Sequence, residues 1–256
     1  MLSFRHITGA AIILFLLSVV LVVFVDAPTY IMTLPWLFWL VFTAIGSFDI
    51  RWNYHLQAVH RSSKQDSKRV AVTFDDGPNP KITPKILDVL KKHNATATFF
   101  CVGQQMKKHP QLLKRMHDEQ HTIGNHTFSH SNAMGFFGKR RMLSELQQTN
   151  NIAKEILGVT LRWFRPAFGV TNPAIKSAVS ETELHVVGWS IRSFDTLPIS
   201  EASLTQRITK RIRGGDIILL HDSSEKTVAV LERLLLFLHD KRMEAVSIDV
   251  LLKNQV

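Results

Sequence analysis

Cysteine is almost missing from this chain. Cys101 is the single one among 256 residues, so no disulfide can form within the chain. It stands in an apolar strand-like run, 96-TATFFCV-102, and reads as a buried core thiol. No stripe of Arg and Lys interleaved with aromatics occurs, so the pattern of a nucleic-acid surface is absent. Internal repeats and low-complexity tracts are absent as well. From Ile7 to Val25, ITGAAIILFLLSVVLVVFV, there is no charge at all. At about 1.5 Å per residue that run covers roughly 28 Å, close to the hydrocarbon thickness of a bilayer. It is too long for a typical signal-peptide core, and no small-x-small cleavage site clearly follows it, so a retained membrane helix is expected.

A break at 26-DAPTY-30 leads to a second apolar run, 31-IMTLPWLFWLVFTAIG-46, with Pro35 inside it and Tyr30, Trp36 and Trp39 as interfacial aromatics. A helical hairpin is expected, with an interfacial or re-entrant segment as the alternative. Arg5 precedes the first run and Arg51, Arg61, Lys64, Lys68 and Arg69 follow the second, while the connection holds only Asp26. The positive-inside rule then puts both flanks in the cytoplasm, whereas a single span leaves the remainder outside. Residues 1–48 are thus expected to be a membrane anchor and 49–68, ending in 61-RSSKQDSK-68, a polar linker.

The formal net charge is +10, and residues 1–68 hold only five Lys/Arg against three Asp/Glu, so most of the excess lies beyond them. It is spread over helical faces such as 107-KKHPQLLKR-115 and 207-RITKRIRGG-215. An anionic membrane surface or an anionic lipid-linked substrate suits that distribution. Over 69–256 short apolar runs alternate with amphipathic stretches. The strands expected are 70-VAVTF-74, 96-TATFFCV-102, 121-HTIGN-125, 162-RWFR-165, 184-LHVVGWSI-191, 216-DIILLH-221 and 245-AVSI-248. Helices are expected over 84–93, 106–119, 140–157, 173–180, 201–212 and 227–240. Apolar strands separated by helices indicate a parallel sheet covered on both faces. A doubly wound sheet or an α/β barrel fits, and seven strands suit a compact, irregular (β/α)7 barrel. In both, functional groups belong at the C-terminal ends of strands.

The strong polar residues fall at those ends. Asp75 and Asp76 follow the first strand, 124-GNHTFSH-130 follows the third, Arg165 ends the fourth, Ser193 to Asp195 follow the fifth, and His221-Asp222 ends the sixth. His126 and His130 are spaced i, i+4, which points both imidazoles to one side on a helical turn or tight loop. Alone, HxxxH is a weak signal in a chain with 12 histidines. With an Asp from a nearby strand end it makes two His and one carboxylate, a ligand set that leaves a divalent ion open to water and substrate. DDGP by itself reads as an Asp-initiated turn. Beside a metal, one carboxylate can ligate while the other acts as base, and the cation offsets their repulsion. The remaining histidines fall in linkers, helices or strand interiors and take no role; Trp163 and Trp189 read as core, the latter as a candidate groove wall.

TFDDGP, HTFSH, 165-RPAFG-169, 189-WSIRSFD-195 and 219-LLH-221, in that order over about 69–250, resemble the five motifs of the polysaccharide deacetylases, the NodB-homology carbohydrate esterases. The resemblance implies that Asp76, His126 and His130 bind Zn2+ or a similar ion, that Asp75 is the general base and His221 the general acid. It implies that Arg165 pairs with Asp75, that Asp195 raises the pKa of His221, and that Pro166, Phe168 (through its backbone N–H) and Leu219 contact the substrate. The activity implied is removal of N-acetyl groups from an acetylated amino sugar in peptidoglycan, a chitin-like polymer or another glycan. The alternatives are deacylation or deformylation of a lipid-linked sugar at the inner membrane face, and a carbohydrate-binding pseudoenzyme. Two motif positions depart from the family. Ala167-Phe168 replaces a frequent Pro-Tyr, and Arg192 and Thr196 stand where an Asp and a Trp are frequent, which bears on substrate preference. The expected partners are a carbohydrate substrate and a membrane, with no nucleic acid.

Overall fold

The run 69-RVAVTFD-75 has apolar residues on both of its faces, and as strand β1 (Arg69–Asp75) it is buried along its whole length after Arg69. Only a central strand can do that. In the computed structural model, which describes residues 3–63, 68–253 and 255, β1 pairs in parallel with β2 (Thr98–Cys101) on one side and β7 (Ile217–His221) on the other. Beyond β2 come β3 (Thr122–Asn125), β4 (Trp163–Phe164) and β5 (His185–Val186); beyond β7 comes β6 (Ile191–Arg192). The short strand β8 (Glu244–Val246) pairs with the first half of β1. The order β5-β4-β3-β2-β1-β7-β6 is an all-parallel, open (β/α) barrel. The expected fold class holds, with one difference of detail. The run 184–191 forms two two-residue strands, β5 and β6, at opposite edges of the sheet. Between them the chain crosses the opening: Val187 donates its N–H to the Phe164 carbonyl and Ser190 to the Ile217 carbonyl.

Residues from the stretch expected to be linker lie in that opening. Val59 bridges Val187 and Arg61 bridges Asp216. Ile50, at the start of a 3₁₀ turn (Ile50–Trp52), and Tyr54, Leu56 and Ala58 beyond it are buried. Residues 64–67 of that stretch, residues 1 and 2 of the expected anchor, and residues 254 and 256 lie outside the described residues.

Helices α3 (Thr83–Lys92), α6 (Lys139–Leu157), α7 (Pro173–Val179), α8 (Glu201–Thr209) and α9 (Glu225–Asp240) cover the outer face of the barrel. The expected helix 106–119 is split into α4 (Gly103–Lys108) and α5 (Pro110–Asp118), since Pro110 cannot continue the helix of the preceding turn. A last turn, α10 (Ile248–Leu251), closes the chain. The core joins these helices to the sheet through residues such as Ile86, Leu87, Met106, Leu146, Leu231 and Leu234, with Phe74 stacked on Phe99 at 5.1 Å.

Ahead of the barrel, α1 (Phe4–Val25) and α2 (Leu34–Phe48) form a hairpin. Trp39 Nε1 donates to Thr8 Oγ1 at 3.0 Å, and the Phe15 and Trp36 rings meet edge to face at 5.9 Å. Phe4–Val25 and Thr29–Phe48 are long and apolar enough to cross a membrane. Many of their side chains, Ile13, Phe24 and Val25 among them, are exposed. Both open ends of the hairpin meet the barrel. Phe4 N–H bonds the Tyr54 carbonyl, and the Ser47 carbonyl accepts the Thr171 N–H at 2.9 Å. Gly46 is required there, because a Cβ would run into the Tyr54 ring.

Candidate active site

At the C-terminal end of β1 the backbone reverses over Asp76, a non-glycine residue held at φ 82°. Asp75 still belongs to the strand and is 4% exposed, whereas Asp76 turns into a cavity of about 190 Å³. Gly77 has an ordinary φ; what it supplies is room, because a Cβ would collide with the carboxylate of Asp222 packed beneath the turn. Asp222 is buried, accepts a hydrogen bond from Thr83 Oγ1, and its pKa is pushed up to about 7, chiefly by burial.

The loop after β3 carries the two histidines. Thr127 and His130 both take positive φ, 65° and 48°, which is rare for a β-branched residue such as Thr127. Surrounding bonds hold the strain in place. Thr127 N–H bonds Asn125 Oδ1, the Thr127 and Phe128 carbonyls accept the N–H groups of Gly103 and Gln104, and the carboxylate of buried Glu145 accepts three hydrogen bonds. These come from Phe128 N–H, Ser129 N–H and Ser129 Oγ, at 2.7 to 2.9 Å. The outcome is that His126 Nε2 and His130 Nε2 lie 3.5 and 3.2 Å from Asp76 Oδ1, and one ligand atom from each of the three residues lies within 4.8 Å of the others. His126 Nδ1 sits 2.7 Å from the Arg165 carbonyl, so Nδ1–H donates there and Nε2 keeps its lone pair for the cavity. A divalent ion fits this donor set: two imidazole nitrogens and one carboxylate oxygen converge, and His126 has its tautomer fixed. Burial favours neutral Asp76, but hydrogen bonding from His126 and His130 prevails and holds its pKa well below the usual carboxylate range. Burial likewise opposes charge on His126, and the carboxylates of Asp75 and Asp76 outweigh it, raising its pKa.

Arg165, fully buried at the end of β4, has every nitrogen occupied. Nη1 donates to Asp75 Oδ1 at 2.8 Å and to Thr73 Oγ1 at 2.7 Å, Nη2 to the Gly188 carbonyl and Nε to the Val187 carbonyl. Its guanidinium lies 4.2 Å over the Phe100 ring. Asp75 Oδ1 is therefore committed, and Oδ2 faces the cavity, 3.8 Å from His126 Nε2.

The opposite wall is built by β6 and β7. His221 Nδ1 is 2.8 Å from Asp195 Oδ1, and Asp195 Oδ2 accepts the His221 N–H and the Thr227 hydroxyl. Burial would lower the His221 pKa, but the hydrogen bond to Asp195 and the charges of Asp75, Asp195 and Asp76 raise it. Burial would raise Asp195, and the His221 bond brings it below its ordinary value. Leu219 lines the floor and Phe168 the rim, its ring 4.7 Å from that of His130. Phe168 is 45% exposed and held at φ 59°. Next to it, Gly169 presses on Trp189, leaving no space for a Cβ.

The cavity thus gathers Asp75, Asp76, His126, His130, Phe168, Leu219 and His221, with Arg165 and Asp195 directly behind. Pro166 does not join them: it is buried in the turn, where its carbonyl accepts the Gly169 N–H, and it is not part of the cavity wall. Residues not anticipated as part of the site are Glu145, Thr73 and Thr227, while the sequence marks Asp222 only as a polar residue at a strand end. Thr73 opens the TFDDGP motif but reads as strand; Thr227 and Glu145 lie in no motif, and Glu145 carries no signal, since a Glu on an amphipathic helix reads as solvent-facing.

An open parallel (β/α) barrel gathers two His and one Asp at its C-terminal mouth, beside a buried Arg–Asp pair, an arrangement suited to hydrolysis at a divalent ion. The polysaccharide deacetylase family model matches residues 62–187. A peptidoglycan-N-acetylglucosamine deacetylase of Bacillus cereus is 35% identical over 163 residues, 63% of this chain and 58% of that one. A chitooligosaccharide deacetylase of Sinorhizobium fredii is 32% identical, covering 73% of this chain and 93% of the relative. Among solved structures, a carbohydrate esterase family 4 pseudoenzyme from Bacillus anthracis superposes with a TM-score of 0.72 at 25% identity, covering 77% of this chain and 69% of that one. The chain belongs to the polysaccharide deacetylase family. It spans 58% of the length of the first of these relatives and 39% of a Listeria monocytogenes peptidoglycan deacetylase, so those proteins carry further segments that it does not match.

Proposed function

We propose that the chain is a metal-dependent N-deacetylase of acetylated amino sugars, held at a membrane by its N-terminal hairpin. One observation carries the reading: Asp76, His126 and His130 converge beside Asp75, and His221 faces them across a single small cavity. Asp76, His126 and His130 would hold the ion, Zn2+ being the ion this donor set suits. When bound, the ion supplies Lewis acidity toward a water and toward the acyl carbonyl.

The protein's own groups do the rest. Arg165 fixes one oxygen of Asp75 and leaves Oδ2 to take the proton of the attacking water. The Phe168 turn at the rim offers its backbone N–H to the oxygen of the tetrahedral intermediate. Leu219 provides an apolar floor for the acyl methyl group. Asp195 holds His221 through Nδ1, keeps it protonated to higher pH, and leaves Nε2 to protonate the departing sugar amine. Water and an N-acetyl amino sugar give acetate and a free amine.

The relatives named above are deacetylases of peptidoglycan N-acetylglucosamine and of chitooligosaccharides, and they support this substrate class. A family fold without activity exists, in the Bacillus anthracis pseudoenzyme, for which a mutant with restored enzymatic activity has been solved. Here both aspartates, both loop histidines and His221 are present together, which favours the enzyme. The test is acetate release with added zinc by the wild type and by Asp75→Asn. A wild type that binds zinc but deacylates no amino sugar would return the chain to the pseudoenzyme reading.

A further inference from the structure

A second cleft, of about 320 Å³, adjoins the catalytic cavity and shares Trp189 and Arg192 with it as a common wall. Arg51, Arg192, Arg207 and Arg211 line this cleft. Its sole lining carboxylate, Asp49, is taken by Arg51 through a bidentate pair at 2.7 and 2.8 Å. Arg192, Arg207 and Arg211 have no carboxylate partner among the described residues. Arg207 Nε donates only to the Arg192 carbonyl, and the Arg192 and Arg207 guanidinium groups lie 5.1 and 4.4 Å from the Phe194 ring. Three guanidinium groups without a carboxylate partner, two of them held against the Phe194 ring and Arg211 lining the same cleft, form a site for a multivalent oxyanion, since planar forks of N–H donors match phosphate oxygens.

The cleft's position is as informative as its charge. Its outer edge is Phe48 and Asp49, the C-terminal end of α2, where the apolar hairpin meets the barrel. The Ser47 carbonyl accepts the Thr171 N–H, so that hairpin end is tied to the loop just after the cavity-rim turn of Phe168. The cleft therefore runs from the foot of the hairpin to the cavity's wall. Arg192 also stands at a motif position where an acidic residue is frequent in the family, so the groove beside the reacting amide is cationic here. A neutral glycan gives three free arginines nothing to pair with.

We infer that this cleft is a phosphate subsite, and that the substrate is an N-acylated amino sugar carrying a phosphate ester at the ring carbon next to the acylamino group. The inference rests on the deacetylase reading above and specifies its substrate. The amide enters the cavity while the phosphate crosses the Trp189–Arg192 wall into the cleft. A phosphate attached to a membrane lipid and one on a soluble sugar phosphate present the same chemistry, and the cleft's place at the hairpin foot favours the lipid.

The full chain in detergent micelles is to be assayed for acetate release from three compounds: chitotetraose, N-acetylglucosamine 1-phosphate, and polyprenyl-phosphate-linked N-acetylglucosamine. Both phosphorylated compounds should exceed chitotetraose in kcat/KM by at least tenfold, with the lipid-linked one highest if the phosphate comes from the membrane. The Arg207→Gln, Arg211→Gln double variant should lose about tenfold or more on the phosphorylated compounds and keep its rate on chitotetraose. Equal or better turnover of chitotetraose, or an equal loss on all three compounds, overturns the subsite and leaves the deacetylase reading intact. Failure to release acetate from any compound is instead a failure of that reading. Calorimetry then still decides the subsite: N-acetylglucosamine 1-phosphate should bind the Asp75→Asn chain at least tenfold more tightly than it binds the same chain carrying both Arg→Gln changes. Equal affinity overturns it.

Discussion

The two walls of the catalytic cavity are built on different terms. On the β1–β3 side, position is imposed by the backbone. Asp76, Thr127 and His130 all sit at positive φ, and behind them Arg165 makes four hydrogen bonds and Glu145 accepts three. On the β6–β7 side, Phe194 is the residue at positive φ, and the functional imidazole is set by a carboxylate–histidine pair whose bond fixes both its orientation and its proton affinity. A ligand set needs nitrogen and oxygen atoms held within a few tenths of an ångström, which rigid loops supply. A general acid needs its proton held near working pH, which a charged neighbour supplies. The difference teaches that damage to the first wall should show as lost metal, and damage to the second as a shifted pH profile.

The largest effects separate holding the metal from using it. On the proposed reading, His126→Ala removes a metal ligand whose Nδ1 is fixed by the Arg165 carbonyl; zinc content should fall to background, and activity with it. Asp75→Asn keeps an oxygen for Arg165 and should retain zinc while activity drops by about 10²–10⁴-fold, the range for losing a general base. Zinc analysis of both purified variants checks the pair. Stoichiometric zinc in His126→Ala, or a zinc-free Asp75→Asn chain, would erase the distinction between ligand and base.

The next effect belongs to the second wall. In Asp195→Asn the charge that raises the His221 pKa is gone, so the acid should lose its proton at lower pH and the alkaline limb of kcat/KM should move down. The rate at neutral pH should fall about 10- to 100-fold, with zinc content unchanged. The same bond contributes to stability, and its sign follows from the shifts. His221, raised in the folded state, contributes fully below its unfolded value near 6.5 and loses that contribution as pH rises through its folded pKa. Asp195, lowered in the folded state, contributes above about 3.8 and loses it as pH falls through its folded pKa. Because one interaction underlies both, the wild type should exceed Asp195→Asn in stability most between these limits. A pH–rate profile with an unmoved alkaline limb would remove Asp195 from the acid's control.

What could be read in the sequence follows from how local each feature is. The strand ends carrying Asp75, His126, Arg165, Asp195 and His221 were legible, because a parallel sheet places consecutive strand ends on one rim and the motifs mark those ends. The division of 184–191 into β5 and β6 was not. Its continuous apolar run conceals that Gly188 passes beside Ile50, and that the chain leaves one sheet edge for the other. The packing of 50–58 was missed because Asp49, Arg51, Asn53, His55 and Gln57 make the stretch read as polar, although His55 is itself buried with its pKa lowered to about 4, first by burial. Pro166 is assigned to the substrate on its motif alone; in the structure it caps the 3₁₀ turn Ala167–Gly169 and gives its carbonyl to the Gly169 N–H. Thr227 and Glu145 act over 32 and 16–17 residues of separation, on partners that only the tertiary fold brings near.

Glu145 gives the smallest effect and the sharpest test of the comparison, because it touches neither metal nor substrate. Its carboxylate holds the N–H groups of Phe128 and Ser129 in the middle of the loop joining His126 to His130. Without it two partly buried donors lose their acceptor, at a cost of up to about 1–3 kcal/mol each before relaxation or water entry. The loop can recover part of that by relaxing Thr127 and His130 toward negative φ, which would carry His130 Nε2 away from Asp76. Glu145→Ala should therefore weaken zinc binding by about tenfold, with the alkaline limb governed by His221 unmoved. Glu145→Gln retains one carbonyl oxygen as acceptor and should recover most of the affinity. If Glu145→Ala lowers thermal stability but leaves zinc affinity at the wild-type value, the strained loop is fixed by its remaining bonds, to Gly103 and Gln104 of α4 and to Asn125, and the first wall needs less enforcement than its geometry implies.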